Sequence, residues 1–271
     1  MSDEVSLGVD VGASLAKLAM RDGGGVRHEL LPAAELERVA ERVASLSPRT
    51  LGLTGAGAGE LARRVGESVR VTEFAAWGAG VRRLLAAQRP DVAEPYLLVS
   101  VGTGTSVLLA QGMGVSRVGG TALGGGTLMG LGGLLFGGAS FEALCALAAK
   151  GDRRRVDLLV SDIYRPGEIA LLGDATAANF GKPDVHASQA EPADLAHALM
   201  GLVGENVALI CAGLAAAHGV RRVAFGGSTL RGNTALRDVL GLITAAFGRE
   251  PIFLEAGEFA GALGALELSG G

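Results

Sequence analysis

The chain has 271 residues, enough for one large domain or two lobes of ordinary size. Hydrophobic residues make up 49%, charged residues 19%, and the net charge is −4, so a full core is expected and a basic surface for nucleic acid is not. The acidic opening MSDEVSLGVD does not read as a signal peptide, and the two cysteines, Cys145 and Cys211, each in an apolar helical pattern, form no metal spacing or disulfide framework; a cytoplasmic protein is expected.

In chain order, a short apolar strand over 6–9 ends at Asp10, and 12–17 turns the chain. A second strand over 15–20 and a third near 26–30 complete a meander. Helical periodicity runs over 33–46. A buried strand at 50–53 ends in TGAGAG, followed by a helix over 60–65. Glu73 opens a helix over 75–87, closed by Gln88-Arg89-Pro90. After Pro95 the pattern restarts: strands at 96–101, 105–110 and 115–118 with turns at 102–104 and 112–114. This repeats the opening strand–turn–strand–turn–strand order and predicts a duplicated fold. Helices are predicted over 128–136, 141–149 and near 156–164. The run Asp152-Arg153-Arg154-Arg155 reads as a solvated turn or helix start. A loop of small residues spans 173–182. A long helix at 192–217 carries Gly201, Gly204 and Gly213. A strand at 223–225, a helix at 235–247, a strand at 252–254 and a helix at 258–268 follow. The order predicts an α/β fold of mixed sheets with flanking helices.

The densest signal is RVGGTALGGGTLMGLGGLLFGG, where ten of residues 119–138 are glycine. No charge falls between Arg117 and Glu142, so the run is long and apolar enough to suggest a membrane span. Its glycines and the hydroxyls of Thr121, Thr127 and Ser140 argue against one. A glycine loop running into a helix N-terminus suits a phosphate instead. Asp10-Val-Gly12-Ala-Ser14-Leu-Ala-Lys17 is the second signal. Asp10 at a strand end suits Mg²⁺, Ser14 and the Ala13–Ser14 amides suit phosphate oxygens, and Lys17 adds a point charge. An ordinary hairpin turn has the same residue types. Ser100-Val-Gly102-Thr103-Gly104 sits at the equivalent place in the second half. Phe225-Gly226-Gly227-Ser228 follows a strand, where open sheets commonly take a nucleotide. The small residues of Glu258-Phe-Ala-Gly261-Ala-Leu-Gly264 suit close helix packing. No P-loop and no dinucleotide fingerprint occurs. Glu73 at a helix start is usually a dipole or capping residue, though it follows a strand-like VRVT; both readings stay open. Arg117 is the only charge between Leu97 and Phe141 and needs a partner, whether ligand or carboxylate.

Taken in order, DVGASLAK, LTGAGAG, EFAAWGAG, VSVGTGTS, RVGGTALGGGTLMGL, AAKGDRRRVDLLVSDIY, GDATAANFGK, VGENV, FGGSTLRGN and EFAGALGALEL resemble a type II pantothenate kinase. That family belongs to the actin, sugar-kinase and heat-shock-chaperone ATPase superfold, and the resemblance covers nearly the whole chain. It implies a two-lobed ATPase fold, with 1–92 as the first lobe and 93–271 as the second, which carries the dimerisation helices. It implies phosphorylation of pantothenate by ATP with Mg²⁺, the first step toward coenzyme A, by a homodimer; from composition and the glycine run, no nucleic-acid or membrane partner is expected.

By matching positions, the resemblance implies Glu73 as catalytic base, Arg117 as the substrate and transition-state arginine, and Asp10 as the Mg²⁺-facing carboxylate. Gly12, Ala13, Ser14, Leu15 and Lys17 match the first phosphate loop. Thr103, Gly104, Gly125, Gly126, Thr127, Leu128, Met129, Gly227 and Ser228 match ATP contacts, and Phe141 falls where an aromatic flanks the base. Two departures stand out. Many family members have Gly-Gly-Thr where this chain has Gly12-Ala13-Ser14, which bears on ATP affinity. The surroundings of Ala75 and Trp77 also differ, which bears on substrate breadth. The alternatives are a kinase of pantetheine or a sugar, a non-catalytic ATP-binding protein of this fold, and an iron–sulfur dehydratase activator. The last needs bridging cysteines.

Overall fold

The computed structural model describes residues 5–112, 114–169, 173, 175–182 and 190–270. The acidic residues 1–4, residue 113 of the expected turn 112–114 and residue 174 of the expected loop 173–182 lie outside the described residues. The first half runs β1 (Ser6–Val11), β2 (Leu15–Asp22), β3 (Gly25–Pro32), α1 (Leu36–Leu46), β4 (Thr50–Thr54), α2 (Ala58–Val65), β5 (Val69–Arg70) and α3 (Glu73–Gln88). The second runs β6 (Tyr96–Val101), β7 (Thr105–Gln111), β8 (Gly114–Thr121), α4 (Gly125–Phe136), α5 (Phe141–Ala148), β9 (Leu158–Leu159), α6 (Val160–Ile163), β10 (Thr176–Ala178), α7 (Pro192–Ala217), β11 (Arg222–Gly226), α8 (Thr234–Ala246), β12 (Glu250–Phe253) and α9 (Ala260–Leu268).

Two five-stranded sheets share one plan. The first has the order β3-β2-β1-β4-β5 and the second β8-β7-β6-β11-β12. In each, an antiparallel meander is extended by parallel strands beside its first member. β1 therefore corresponds to β6, and the loop at Gly12 to the loop at Gly102. The repeated strand order in the sequence becomes a repeated topology.

Helices α1 and α2 close the first sheet with Val39, Ala40, Val43, Ala58 and Leu61 buried against Leu7, Val9, Leu18 and Leu53. The second sheet carries the larger core, which α7 dominates. Pro192 starts α7 at its first position, where a missing N–H costs nothing. Helix α7 is long and apolar enough to cross a membrane, yet 67% of its most apolar window is buried inside the fold. It packs on α4, α5, α8, β6 and β8.

Helix α9 returns from the second half to the first sheet, and every residue from Ala260 to Leu266 is buried. Its backbone touches both neighbours. A Cβ on Gly8 of β1 would collide with the Ala262 carbonyl, one on Gly52 of β4 with that of Ala265, and one on Gly80 of α3 with that of Ala260. In return, a Cβ on Gly264 would collide with the Ala76 carbonyl of α3. The small-residue face thus clasps β1, β4 and α3 at backbone contact. Glu267 adds ion pairs to Arg21 and Arg83.

Several boundaries differ from expectation. The segment 156–164 is not a helix: β9 pairs with β10, a strand inside the expected loop, and only Val160–Ile163 is helical. Polar side chains take over backbone bonds there. Asp157 accepts from the Phe180 N–H at 2.9 Å, and Asp162 from the Leu159 N–H at 2.9 Å. The run at 152 is a helix start, a 3-10 turn over Arg153–Arg155 capped by Asp152, with Arg154 and Arg155 exposed. Arg153 departs from the solvated reading, being largely buried in ion pairs with Asp157 at 3.0 Å and Glu205 at 2.8 Å. Helix α4 starts three residues before the expected 128, and a 3-10 turn over Gly257–Phe259 precedes α9 where 258 was expected to open a helix.

Candidate active site

A cavity of about 610 Å³ lies between the two sheets. The first half contributes Asp10, the loop Gly12, Ala13, Ser14 and Leu15, then Lys17, Gly55, Glu73 and Trp77. The second contributes Ser100, Gly102, Thr103, Gly104, Arg117, Gly120, Gly227, Ser228 and Glu258. A second cavity of about 270 Å³ adjoins it through Ser14, Leu15, Gly102, Thr103 and Ser228, and continues to Gly125, Gly126, Met129 and Phe141. The first holds Asp10, Lys17, Glu73, Arg117 and Glu258; the second is walled by glycine, Met129 and the Phe141 ring together with Glu142 and Arg231.

Asp10 stands near the end of β1, opposite Lys17 in the antiparallel register with β2. The Lys17 ammonium pairs with its carboxylate at 3.4 Å, and both side chains are largely buried. The turn between them closes with the Gly12 N–H donating to the Leu15 carbonyl at 3.0 Å. The corresponding turn closes with Gly102 N–H on the Gly104 carbonyl at 2.9 Å. The N–H groups of Ala13, Ser14 and Thr103 have no partner among the described residues. Two facing turns with free amides suit an anion.

Glu73 is the first residue of α3, and the N-cap before it, Thr72, makes no side-chain capping bond. Its carboxyl is held above its ordinary value, chiefly by partial burial and then by the Asp10 charge, against a smaller opposing effect of Lys17. Glu73 thus lines the crevice while also standing in the first turn of α3, where an acidic residue suits the helix dipole.

Arg117 owes its aim to a β-bulge. In the β7–β8 ladder Leu108 faces Arg117 and Val107 faces Gly119, so Val118 is the extra residue. The bulge puts Arg117 and Gly120 on one face, where strict alternation would separate them. A Cβ on Gly120 would lie 2.9 Å from Arg117 Nη2, so the guanidinium runs across a bare backbone. Arg117 makes no ion pair or hydrogen bond among the described residues.

The glycine run has a different structure from the loop expected of it. Arg117 to Thr121 is strand, and only Gly125–Phe136 is helix. The first N–H groups of α4 are already used: Gly125 donates to the Gly102 carbonyl at 2.8 Å and Gly126 to that of Thr103 at 2.9 Å. They brace the second turn and do not point at a ligand. Thr127 bonds the Ala122 carbonyl and the Gly124 N–H at 3.3 Å, and Leu128 is fully buried. Neither lines a cavity, so these two expected nucleotide contacts are a helix cap and a core residue.

Among the lining residues not expected as site residues are Glu258 and Trp77, the latter noted in the sequence only for its bearing on substrate breadth. Glu258 was read as part of a packing helix, although the Gly257 before it signals a turn. Trp77 stands one turn after Glu73 on α3, a spacing that put it on the same face. Among the described residues no group of three or more His, Cys, Asp or Glu gathers as for a metal. Cys145 and Cys211 are buried, and burial pushes their thiols up to about 11 and about 12.

The chain matches the Fumble family over residues 73–267. The type II pantothenate kinase of Staphylococcus saprophyticus is 34% identical over 266 residues, covering 97% of this chain and 100% of that one. The type II pantothenate kinase of Staphylococcus epidermidis is 35% identical over the same length. This chain belongs to the type II pantothenate kinase family. Solved structures place the family member in the actin-like kinase and ATPase fold. Component A of the (R)-2-hydroxyglutaryl-CoA dehydratase of Acidaminococcus fermentans aligns over 98% of this chain and 97% of its own, with a TM-score of 0.65 at 17% identity. A ROK family glucokinase from Streptomyces griseus, in complex with glucose and AMPPNP, aligns over 98% and 99% with a TM-score of 0.59 at 17% identity. At such identities the likeness concerns the fold alone.

Proposed function

We propose that this protein transfers the γ-phosphoryl group of ATP to the primary hydroxyl of pantothenate, giving 4′-phosphopantothenate and ADP. The observation that carries the reading is Arg117, without a partner among the described residues, in the same cavity as Glu73 and the two turns at Gly12 and Gly102. Pantothenate has a carboxylate for Arg117 at one end and a hydroxyl for Glu73 at the other. The Glu73 carboxylate takes the hydroxyl proton while the new O–P bond forms and the bond from the γ-phosphorus to the ADP oxygen breaks.

Ser14, Thr103, Gly104 and the free amides of the two turns hold the phosphates, with Lys17 as a point charge. Gly227 and Ser228 take the ribose side, and Gly125, Gly126, Met129 and Phe141 take the base. Leu15 lines both cavities and spans the join. Asp10 fits Mg²⁺, which binds through one or two carboxylates and keeps phosphate and water as its other ligands. The bound ion supplies charge neutralisation on the phosphate oxygens. The lobes divide at residues 1–92 and 93–271, with α9 returning to the first. A homodimer in the cytoplasm completes the reading.

ADP release from Mg-ATP with pantothenate, pantetheine and N-acetylglucosamine tests it, with Glu73→Gln alongside. Pantothenate-dependent turnover that Glu73→Gln lowers by about 10²- to 10⁴-fold is the expected result. Preference for pantetheine, which lacks the carboxylate, would overturn the role of Arg117. Absence of turnover with all three would overturn the kinase reading. Light scattering of the purified protein decides the dimer.

A further inference from the structure

The carboxylate of Asp10 has an unusual neighbour. Gly261 stands in the first turn of α9, and a Cβ there would lie 2.6 Å from Asp10 Oδ2, 2.9 Å from Cγ and 3.2 Å from Cβ. All three nearest atoms belong to the Asp10 side chain. No backbone atom of another element is closer, and Gly261 has an ordinary helical backbone. The carboxylate therefore rests in the space that a side chain at 261 would fill. Lys17 pairs with the same oxygen, Oδ2, at 3.4 Å, and a Cβ on Gly55 would lie 2.6 Å from the other, Oδ1.

The same helix fixes the opposite carboxylate. Gly264 and Gly80 lock α9 to α3 at backbone contact, and Glu73 opens α3. Gly8 and Gly52 lock α9 to β1 and β4. Asp10 on β1 and Glu73 on α3 are thus spaced by one intervening helix whose contacts are main chain, with few rotamers to absorb a change.

We propose that Gly261 is a positioning residue for Asp10. By leaving out a side chain, it lets the Asp10 carboxylate lie against α9, facing the phosphate turns at a fixed distance from Glu73. Gly261→Ala rotates that carboxylate without touching Glu73, Arg117 or the phosphate turns. The inference rests on the proposed role of Asp10 toward Mg²⁺ and adds the residue that aims it.

The test compares wild type, Gly261→Ala, Asp10→Asn and the double variant. Mn²⁺ affinity of the enzyme–ADP complex, read by electron paramagnetic resonance, accompanies Mg²⁺-dependent kinetics. Gly261→Ala is expected to weaken Mn²⁺ binding and raise the Mg²⁺ requirement about 10- to 100-fold, the usual loss when a ligand's support is disturbed, with the pantothenate KM unchanged. In the Asp10→Asn background the same change should add nothing to either readout, because its target is already gone. Equal losses in both backgrounds would overturn the proposal by making the effect a general disturbance of α9. Unchanged Mn²⁺ and Mg²⁺ responses in Gly261→Ala would overturn it as well. If Asp10→Asn itself leaves Mn²⁺ binding intact, the role given to Asp10 fails, a result separate from the other two.

Discussion

Arg117 lies across Gly120 on one face of β8 because Val118 is bulged out of the ladder. A strand that alternated strictly would carry the guanidinium away from Gly120 and out of the crevice. Position in the sequence and aim in space are therefore set by different residues.

Arg117→Gln should raise the KM for pantothenate and leave the KM for ATP unchanged. A charge-assisted hydrogen bond contributes about 1.5–3 kcal/mol, so the loss in kcat/KM is about 10- to 150-fold. Steady-state kinetics with each substrate varied in turn checks the split. An equal rise in both KM values would mean that Arg117 serves the phosphates.

Glu73 must be unprotonated to act as base, and its carboxyl is held above the ordinary value of 4.5. The acid limb of the kcat/KM profile should therefore lie above that of an ordinary glutamate, and Glu73→Gln should lower kcat by about 10²- to 10⁴-fold. Stability follows the opposite sign. The folded state binds this proton more tightly than the unfolded chain does, so the contribution of Glu73 falls as pH rises from 4.5 through the raised folded value. Glu73→Gln should thus melt slightly above wild type at neutral pH, and the gap should close on acidification.

Phe141→Ala should weaken ATP binding and spare pantothenate. Aromatic stacking contributes about 0.5–1.5 kcal/mol beyond area burial, a roughly 2- to 12-fold rise in the KM for ATP. Calorimetric titration with AMPPNP gives the same quantity without turnover.

Two glycine substitutions should behave oppositely. Gly264→Ala drives a Cβ into the Ala76 carbonyl, and α3 or α9 must shift, at a cost of about 1–3 kcal/mol or more. Gly133→Ala on α4 meets nothing within 4 Å and removes a helix-interior glycine, which stabilises by roughly 0.5–1 kcal/mol. Differential scanning calorimetry should place the first well below wild type and the second at or above it.

The sequence carried the duplicated strand order, because turn glycines and apolar runs are local signals. Asp10 was legible as a candidate because it stands near a strand end before a turn, whereas the role of Glu73 came only from the resemblance. The segment 156–164 was not, since Asp157 and Asp162 replace local backbone bonds with partners as distant as Phe180. The glycine run was misread at its helix start because the carbonyls that take its N–H groups sit on residues 102 and 103, in the turn between β6 and β7. Leu128 shows the same limit: the resemblance marks a stretch, while the helix phase decides which side chain faces the cavity.

The clasp of α9 on the first sheet has a consequence for how the protein is made. β1 and β4 leave the ribosome early, with Gly8 and Gly52 presenting a groove shaped for a helix backbone. The residues that fill it, 260–268, are synthesised after every strand of both sheets. During translation the first sheet is therefore an open half, and its face toward Asp10 closes only when the second half has been completed. A fragment ending at residue 92 lacks that helix. It should expose apolar surface and bind a hydrophobic dye until a peptide spanning 257–270 is supplied. Assembly order, and not only geometry, ties the Asp10 carboxylate to the last helix of the fold.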